Sequence, residues 1–171
     1  MSRDDEFRAY VLAARPGLLR TATLLAAGDA YLAEDVVQTS LTKLYVAWPR
    51  VRTEGPERYA RRILVNAFTD ETRRPWRRER SHDVVPDAPA AEPASLEDRD
   101  AVRRALASLP PRMRAAVVLR YWLELDVAET AAALGCSQGT VKSQTARGLE
   151  RLRALLGPVE EPDPEPTRSL P

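Results

Sequence analysis

The stretch Val127-Ala128-Glu129-Thr130-Ala131-Ala132-Ala133-Leu134-Gly135-Cys136-Ser137-Gln138-Gly139-Thr140-Val141-Lys142-Ser143-Gln144-Thr145-Ala146-Arg147-Gly148 reads as a helix, a tight turn and a second helix continuing to about Leu156. Two short helices that cross steeply need a small residue at the contact, a turn residue that tolerates positive φ, and apolar residues that lock the second helix. Ala131, Leu134, Gly135, Cys136 and Val141 stand at those offsets. Helical spacing then turns Val141, Thr145, Gly148 and Leu152 inward and Thr140, Ser143, Gln144 and Arg147 outward, with Lys142 on the flank. Such donors suit base edges and phosphates in a major groove. The same pattern also suits a plain helical hairpin with a soluble outer face, and the motif alone leaves both readings open. Cys136 reads as a small packing residue of the turn rather than a reactive thiol.

Upstream of this motif, Val102, Ala105, Leu106 and Leu109 form one apolar stripe, closed by Pro110-Pro111. Pro111 is equally suited to start the next helix, which carries Met113, Val117 and Tyr121. Nearer the N-terminus, Phe7, Val11, Leu18, Leu19 and Leu24-Leu25 give an interrupted helical period, with a break expected at Pro16-Gly17. Val37, Leu41, Leu44 and Trp48 make a clearer stripe, which leaves Asp35, Gln38, Thr42 and Lys43 toward solvent or a partner; Pro49 is expected to end that helix. A third helix is expected from about Glu57 to Arg74, with Tyr59, Ile63, Ala67 and Phe68 inward and Arg62, Asn66, Thr69 and Arg73 on the opposite face. It runs into Arg77-Arg78 beside Trp76, a residue equally suited to stacking on a base and to capping the domain.

Charge and proline divide the chain. The net charge of +1 over 171 residues hides an alternation. Residues 1–80 carry 15 basic against 11 acidic groups, 81–100 carry 1 against 6, 101–156 carry 9 against 4, and 157–171 carry 1 against 4. Pro86, Pro89 and Pro93 fall in the first acidic segment, and Pro158, Pro162, Pro164, Pro166 and Pro171 in the second. The expectation is an all-α protein of two small helical domains, residues 1–80 and 97–157, joined by a flexible acidic Pro-rich linker, 81–96, and followed by a disordered tail, 158–171.

Composition narrows the function classes. One cysteine and one histidine, His82 in the expected linker, can build neither a disulfide framework nor a four-ligand zinc site. No phosphate loop, nucleophile beside the histidine or cluster of metal ligands is present, so neither enzyme, metal nor cofactor is expected. No stretch reaches the ~20 apolar residues that span a bilayer, and the N-terminal residues lack a signal core, so membrane insertion is not expected and a cytoplasmic location is.

Taken together, these segments resemble the extracytoplasmic-function group of RNA polymerase sigma-70 factors, in particular its actinobacterial SigE-like branch. Three strings carry the resemblance: Ala33-Glu34-Asp35-Val36-Val37-Gln38 with Lys43-Leu44-Tyr45; Tyr59-Ala60-Arg61-Arg62-Ile63-Leu64-Val65-Asn66; and Leu109-Pro110-Pro111-Arg112-Met113-Arg114 followed by Gly139-Thr140-Val141-Lys142-Ser143. The resemblance implies a non-enzymatic polymerase subunit with a region-2 bundle and a region-4 helix-turn-helix. Asp35, Gln38, Thr42 and Lys43 would contact the β′ clamp helices of core RNA polymerase, and the second domain the β flap. Arg62, Asn66, Thr69, Arg73 and Trp76 would read and melt the minus-10 promoter element, and Thr140, Lys142, Ser143, Gln144 and Arg147 would contact the minus-35 duplex. The resemblance also leaves room for an anti-sigma factor. Thr39 and Leu41 stand where many members have Glu and Phe, and Ala146 where some have an aromatic. A connector of ~15–20 residues at ~3.3 Å each could span two promoter elements more than one ~34 Å helical turn apart.

Overall fold

The computed structural model describes residues 2–73 and 96–157, all of whose regular elements are helical. In chain order they are α1 (Arg3–Leu25), α2 (Ala30–Val51), α3 (Pro56–Arg73), α4 (Leu96–Ala107), α5 (Pro111–Val117), a π-helical turn (Val118–Trp122), α6 (Val127–Leu134) and α7 (Gln138–Leu156). The expected linker and tail lie almost wholly outside the described residues, as do Trp76, Arg77, Arg78 and His82. Among the described residues no helix is long and apolar enough to cross a membrane.

Helix starts follow their side chains. The Ser2 hydroxyl accepts from the Asp5 amide at 3.2 Å while the Asp5 carboxylate accepts from the Ser2 amide at 3.1 Å, a reciprocal cap on α1. Asp29 caps α2 through the Leu32 amide at 2.9 Å. Pro111 opens α5, where its missing N–H leaves nothing unsatisfied.

Two expected helix ends are absent. Helix α1 passes through Pro16-Gly17, and α2 passes through Pro49 to Val51. An interior proline costs ~3 kcal/mol, whereas burying a large apolar side chain gives ~1.5–3 kcal/mol. Leu18, Ala22 and Leu25 lie buried beyond Pro16 in α1, and Val51 lies buried beyond Pro49 in α2, so burial outweighs the local penalty.

The α1–α2–α3 bundle buries Val37, Leu44, Trp48, Ile63, Ala67 and Phe68, with Leu41 and Tyr59 partly buried against the core. Phe7 and Tyr10 pack on the Trp48 ring with centroids 5.2 and 5.0 Å away. In the C-terminal half, Ala105, Leu106, Leu109, Met113 and Val117 are buried as the spacing requires. Val102 and Tyr121 are exposed instead. The π turn, marked by the Leu123 amide donating to the Val118 carbonyl, brings Trp122 onto α1. Tyr121, about a quarter turn away, faces solvent.

The two halves share one apolar core, which runs from Leu25 and Phe68 to Leu106, Met113 and Leu119. Among the described residues, polar contacts cross between them. Arg114 Nη1 donates to the Leu25 carbonyl at 2.8 Å, Trp122 Nε1 donates to Thr21 Oγ1 at 3.3 Å, and Arg58 lies 3.7 Å from Glu129.

Candidate nucleic-acid interface

The helix-turn-helix is built by local chemistry. Asp126 caps α6 through the Glu129 amide at 2.7 Å, and Glu129 accepts in return from the Asp126 amide at 3.1 Å. The helix stops at Gly135, which adopts φ 61° and ψ 43°, a left-handed conformation that glycine enters without steric cost. The Cys136 amide then reaches back to the Ala131 carbonyl, and the Ser137 hydroxyl accepts from the Thr140 amide at 3.1 Å to start α7.

On α7, Val141, Thr145 and Gly148 face the core. Thr140, Lys142, Ser143 and Arg147 are exposed and Gln144 is half-buried, so the outward face expected from spacing is present. Two of its hydroxyls are already engaged: Thr140 with Ser137 at 2.9 Å, and Ser143, which donates to the Thr140 carbonyl at 3.0 Å. Lys142 and Arg147 are therefore the strongest groups for phosphate and base contacts. Arg151, one turn beyond Arg147 and also exposed, extends the basic stripe. Its i+4 spacing was the available signal, and the five-residue reading of this face did not include it.

Helix α3 presents a second face. Arg62, Asn66 and Arg73 are exposed, while Thr69 is half-buried with its hydroxyl donating to the Val65 carbonyl at 2.9 Å. Arg58 and Arg61 continue the basic character toward the N-terminus of the helix. Arg58, Arg61 and Arg62 line one wall of a cleft of about 370 Å³ whose other wall includes Leu119, Glu129 and Ala133. The α3 face is thus partly turned toward the C-terminal half.

Asp35, Gln38 and Thr42 are exposed on one stripe of α2, where the Thr42 hydroxyl donates to the Gln38 carbonyl at 2.9 Å. Beside them Arg15 pairs with Glu34 at 2.5 Å, tying the start of this stripe to α1. Lys43 departs from the group by reaching Asp70 of α3 at 3.8 Å. A half-exposed pair of that length contributes little stability, so it leaves the Lys43 charge available.

Known proteins match both halves of the chain. The family model described as Sigma-70 region 2 matches residues 3–78, and that described as Sigma-70, region 4 matches 99–152. The RNA polymerase sigma-E factor of Streptomyces coelicolor is 37% identical over 157 residues, covering 88% of this chain and 86% of the relative. The ECF RNA polymerase sigma factor SigM of Mycobacterium tuberculosis is 44% identical over 98 residues, 56% of this chain and 49% of its own. Among solved structures, the sigma factor RpoE in complex with the anti-sigma factor NepR from Bartonella quintana superposes with a TM-score of 0.65 at 30% identity, covering 88% of this chain and 96% of that one. CnrH in complex with the cytosolic domain of CnrY shares the fold, with a TM-score of 0.59 at 24% identity over 88% of this chain and 86% of that one. With its capped helix-turn-helix, its basic α3 and the match to a full-length relative, the chain belongs to the sigma-70 family of RNA polymerase sigma factors, in the extracytoplasmic-function group and its SigE-like branch, the subunits that join core polymerase and direct initiation at promoters.

Proposed function

We propose that three faces divide this task. Asp35, Gln38 and Thr42, with Lys43 beside them, dock on the β′ clamp helices of core polymerase. Arg62, Asn66, Thr69 and Arg73, joined by Trp76, hold the minus-10 element, where guanidinium groups follow the backbone and Asn66 receives an unstacked base. Thr140, Lys142, Ser143, Gln144 and Arg147 lie in the major groove of the minus-35 element, while the C-terminal half rests on the β flap. The chain is accordingly a non-enzymatic, cytoplasmic subunit of two domains, 1–80 and 97–157, with a connector at 81–96 and a tail at 158–171. An anti-sigma factor, of the kind present in the RpoE complex, is a further partner open to this chain.

The observation that carries this reading is the exposed Lys142 and Arg147 pair, held outward by a helix whose inner face, Val141, Thr145 and Gly148, is locked to the core. Run-off transcription with core polymerase tests it. The double variant Lys142→Ala and Arg147→Ala is expected to lower initiation at a responsive promoter by an order of magnitude or more, since a good base contact is worth ~1–3 kcal/mol. Undiminished initiation would count against the assignment of this face.

A further inference from the structure

Helix α7 carries Lys142, Arg147, Arg151 and Arg153 against Glu150, four basic groups to one acidic, a net +3. All five are exposed, and among the described residues none of the four cations is paired with a carboxylate. Arg147, Arg151 and Leu155 stand at i, i+4 and i+8, so they form one row along the helix. The row runs from the face expected to meet DNA to the last turn, where Leu155 is 59% exposed and Leu156 43%. Such a row fits a partner that begins apolar and continues acidic.

The stretch that follows α7 has that chemistry in that order. It reads Val159-Glu160-Glu161-Pro162-Asp163-Pro164-Glu165-Pro166, and residues 157–171 carry 4 acidic groups against 1 basic, a net −3 facing the +3 of the helix. Residues from 158 onward lie outside the described ones. Gly157 closes α7 with its amide on the Arg153 carbonyl at 3.0 Å and a φ of 76°, a left-handed value that turns the chain out of the helix. Glu161, Asp163 and Glu165 each precede a proline, which disfavours helical backbone at the acid and favours extended backbone. In an extended chain alternate side chains share a face and recur about every 6.5 Å. Four residues of helix rise about 6.0 Å. With Val159 level with Leu155, Glu161 therefore falls level with Arg151 and Asp163 with Arg147. The way back from Gly157 to Ser143 is about 21 Å along the axis, which the eight residues 158–165 span at ~3.3 Å each.

We propose that residues 159–165 fold back on the Arg147–Arg151–Leu155 row as an intramolecular stand-in for DNA phosphates, and that duplex DNA displaces them before α7 enters a major groove. This rests on the reading of α7 as a DNA face. Each ion pair is exposed and weak. Docking is sustained by tethering, which gives the acids a local concentration in the mM range. The segment lowers affinity for every duplex by the same factor, because any duplex must displace it. Weak non-specific contacts of the isolated protein are lost first, while binding aligned by polymerase and by the α3 face survives.

Two measurements on the full chain decide it. Thr167→Cys in a Cys136→Ser background carries a nitroxide just beyond Glu165, and its effect on amide relaxation is read along isotope-labelled α7 at low salt. The docked segment is expected to broaden amides from Gly139 to Ser143 most. Raising salt to about 0.5 M, adding duplex, or combining Arg147→Ala with Arg151→Ala should each remove that maximum. Broadening that decays steadily from Gly157, that centres on Arg58 to Arg62 of α3, or that passes between separate copies in a mixed sample would overturn the docking. In the second measurement, Glu160→Gln, Glu161→Gln, Asp163→Asn and Glu165→Gln are combined, and binding to a short duplex of unrelated sequence is followed at low salt. Affinity is expected to rise about threefold to tenfold, as for a competent state freed from a competitor, and by less than about twofold where Arg147 and Arg151 are already alanine. An equal rise in both backgrounds would be a general charge effect and would refute the proposal. Undiminished initiation by the Lys142→Ala and Arg147→Ala variant would instead remove the promoter role of α7, and the relaxation measurement then decides the docking by itself.

Discussion

Gly148 shows how one residue sets a helix crossing. A Cβ at this position would stand 2.5 Å from Val117 Cγ2 and 3.2 Å from Met113 Cγ, both on α5 and both buried. Valine is stiff at χ1, so it cannot swing aside cheaply. Alanine would gain up to ~1 kcal/mol of helix propensity, but overpacking a filled core costs ~1–3 kcal/mol and more where the backbone must shift. Gly148→Ala is therefore expected to lose about 1–2 kcal/mol in urea unfolding, and equal stability would mean that α7 can step away from α5. Tyr10 makes a separate residue-level case. Burial against Trp48, assisted by the nearby Glu57 charge and opposed by Arg61, pushes its phenol up to about 12. Because the folded value is raised above the ordinary 10, the contribution to stability is complete below pH 10 and is lost as pH rises through 12. Absorbance at 295 nm should show a tyrosinate component near pH 12 that is smaller in Tyr10→Phe, and an undiminished component in that variant would contradict the assignment.

At the scale of the element, caps and amphipathic stripes account for where helices begin and which way they face. Asp126→Ala removes the acceptor for the Glu129 amide and is expected to cost about 1 kcal/mol, read as a lower unfolding midpoint. The face of α7 has its own signature. If Lys142 and Arg147 each neutralise one phosphate, replacing both with alanine should flatten the dependence of log binding constant on log salt by roughly 1.8, or 0.9 for each contact. A smaller change would show that these side chains meet base edges rather than backbone. The sequence carried both features openly, because the Val141, Thr145 and Gly148 spacing assigns the inner face and the outer face is what remains. It misread the ends at Pro16 and Pro49, where local penalty and tertiary burial compete and only packing reveals the winner. Lys43 was grouped with Asp35 and Gln38 by spacing along α2, yet its ammonium reaches Asp70 on another helix, a relation no single-helix pattern contains.

The whole molecule adds what neither residue nor element carries. Alternating charge and proline marked two helical blocks, but the pairs Leu25–Arg114, Thr21–Trp122 and Arg58–Glu129 are separated by long stretches of chain and leave no periodic trace in it. Their consequence is thermodynamic coupling. A C-terminal half of about 60 residues buries only ~60% of the surface its unfolded chain exposes and is marginal alone, so much of its stability must come from the apolar core it shares with α1–α3. Calorimetry of the full chain is accordingly expected to give one transition with matching calorimetric and van't Hoff enthalpies. Thr21→Val removes the acceptor of the Trp122 N–H at nearly constant volume, and Arg114→Met removes the buried cation together with its bond to Leu25. Combined, they should separate that transition into two, with the C-terminal half melting first and the α1–α3 bundle near its original temperature. A single transition that merely moves to lower temperature would place the coupling in the apolar core alone. Two transitions already present in the unaltered chain would mean that the halves fold independently despite sharing that core.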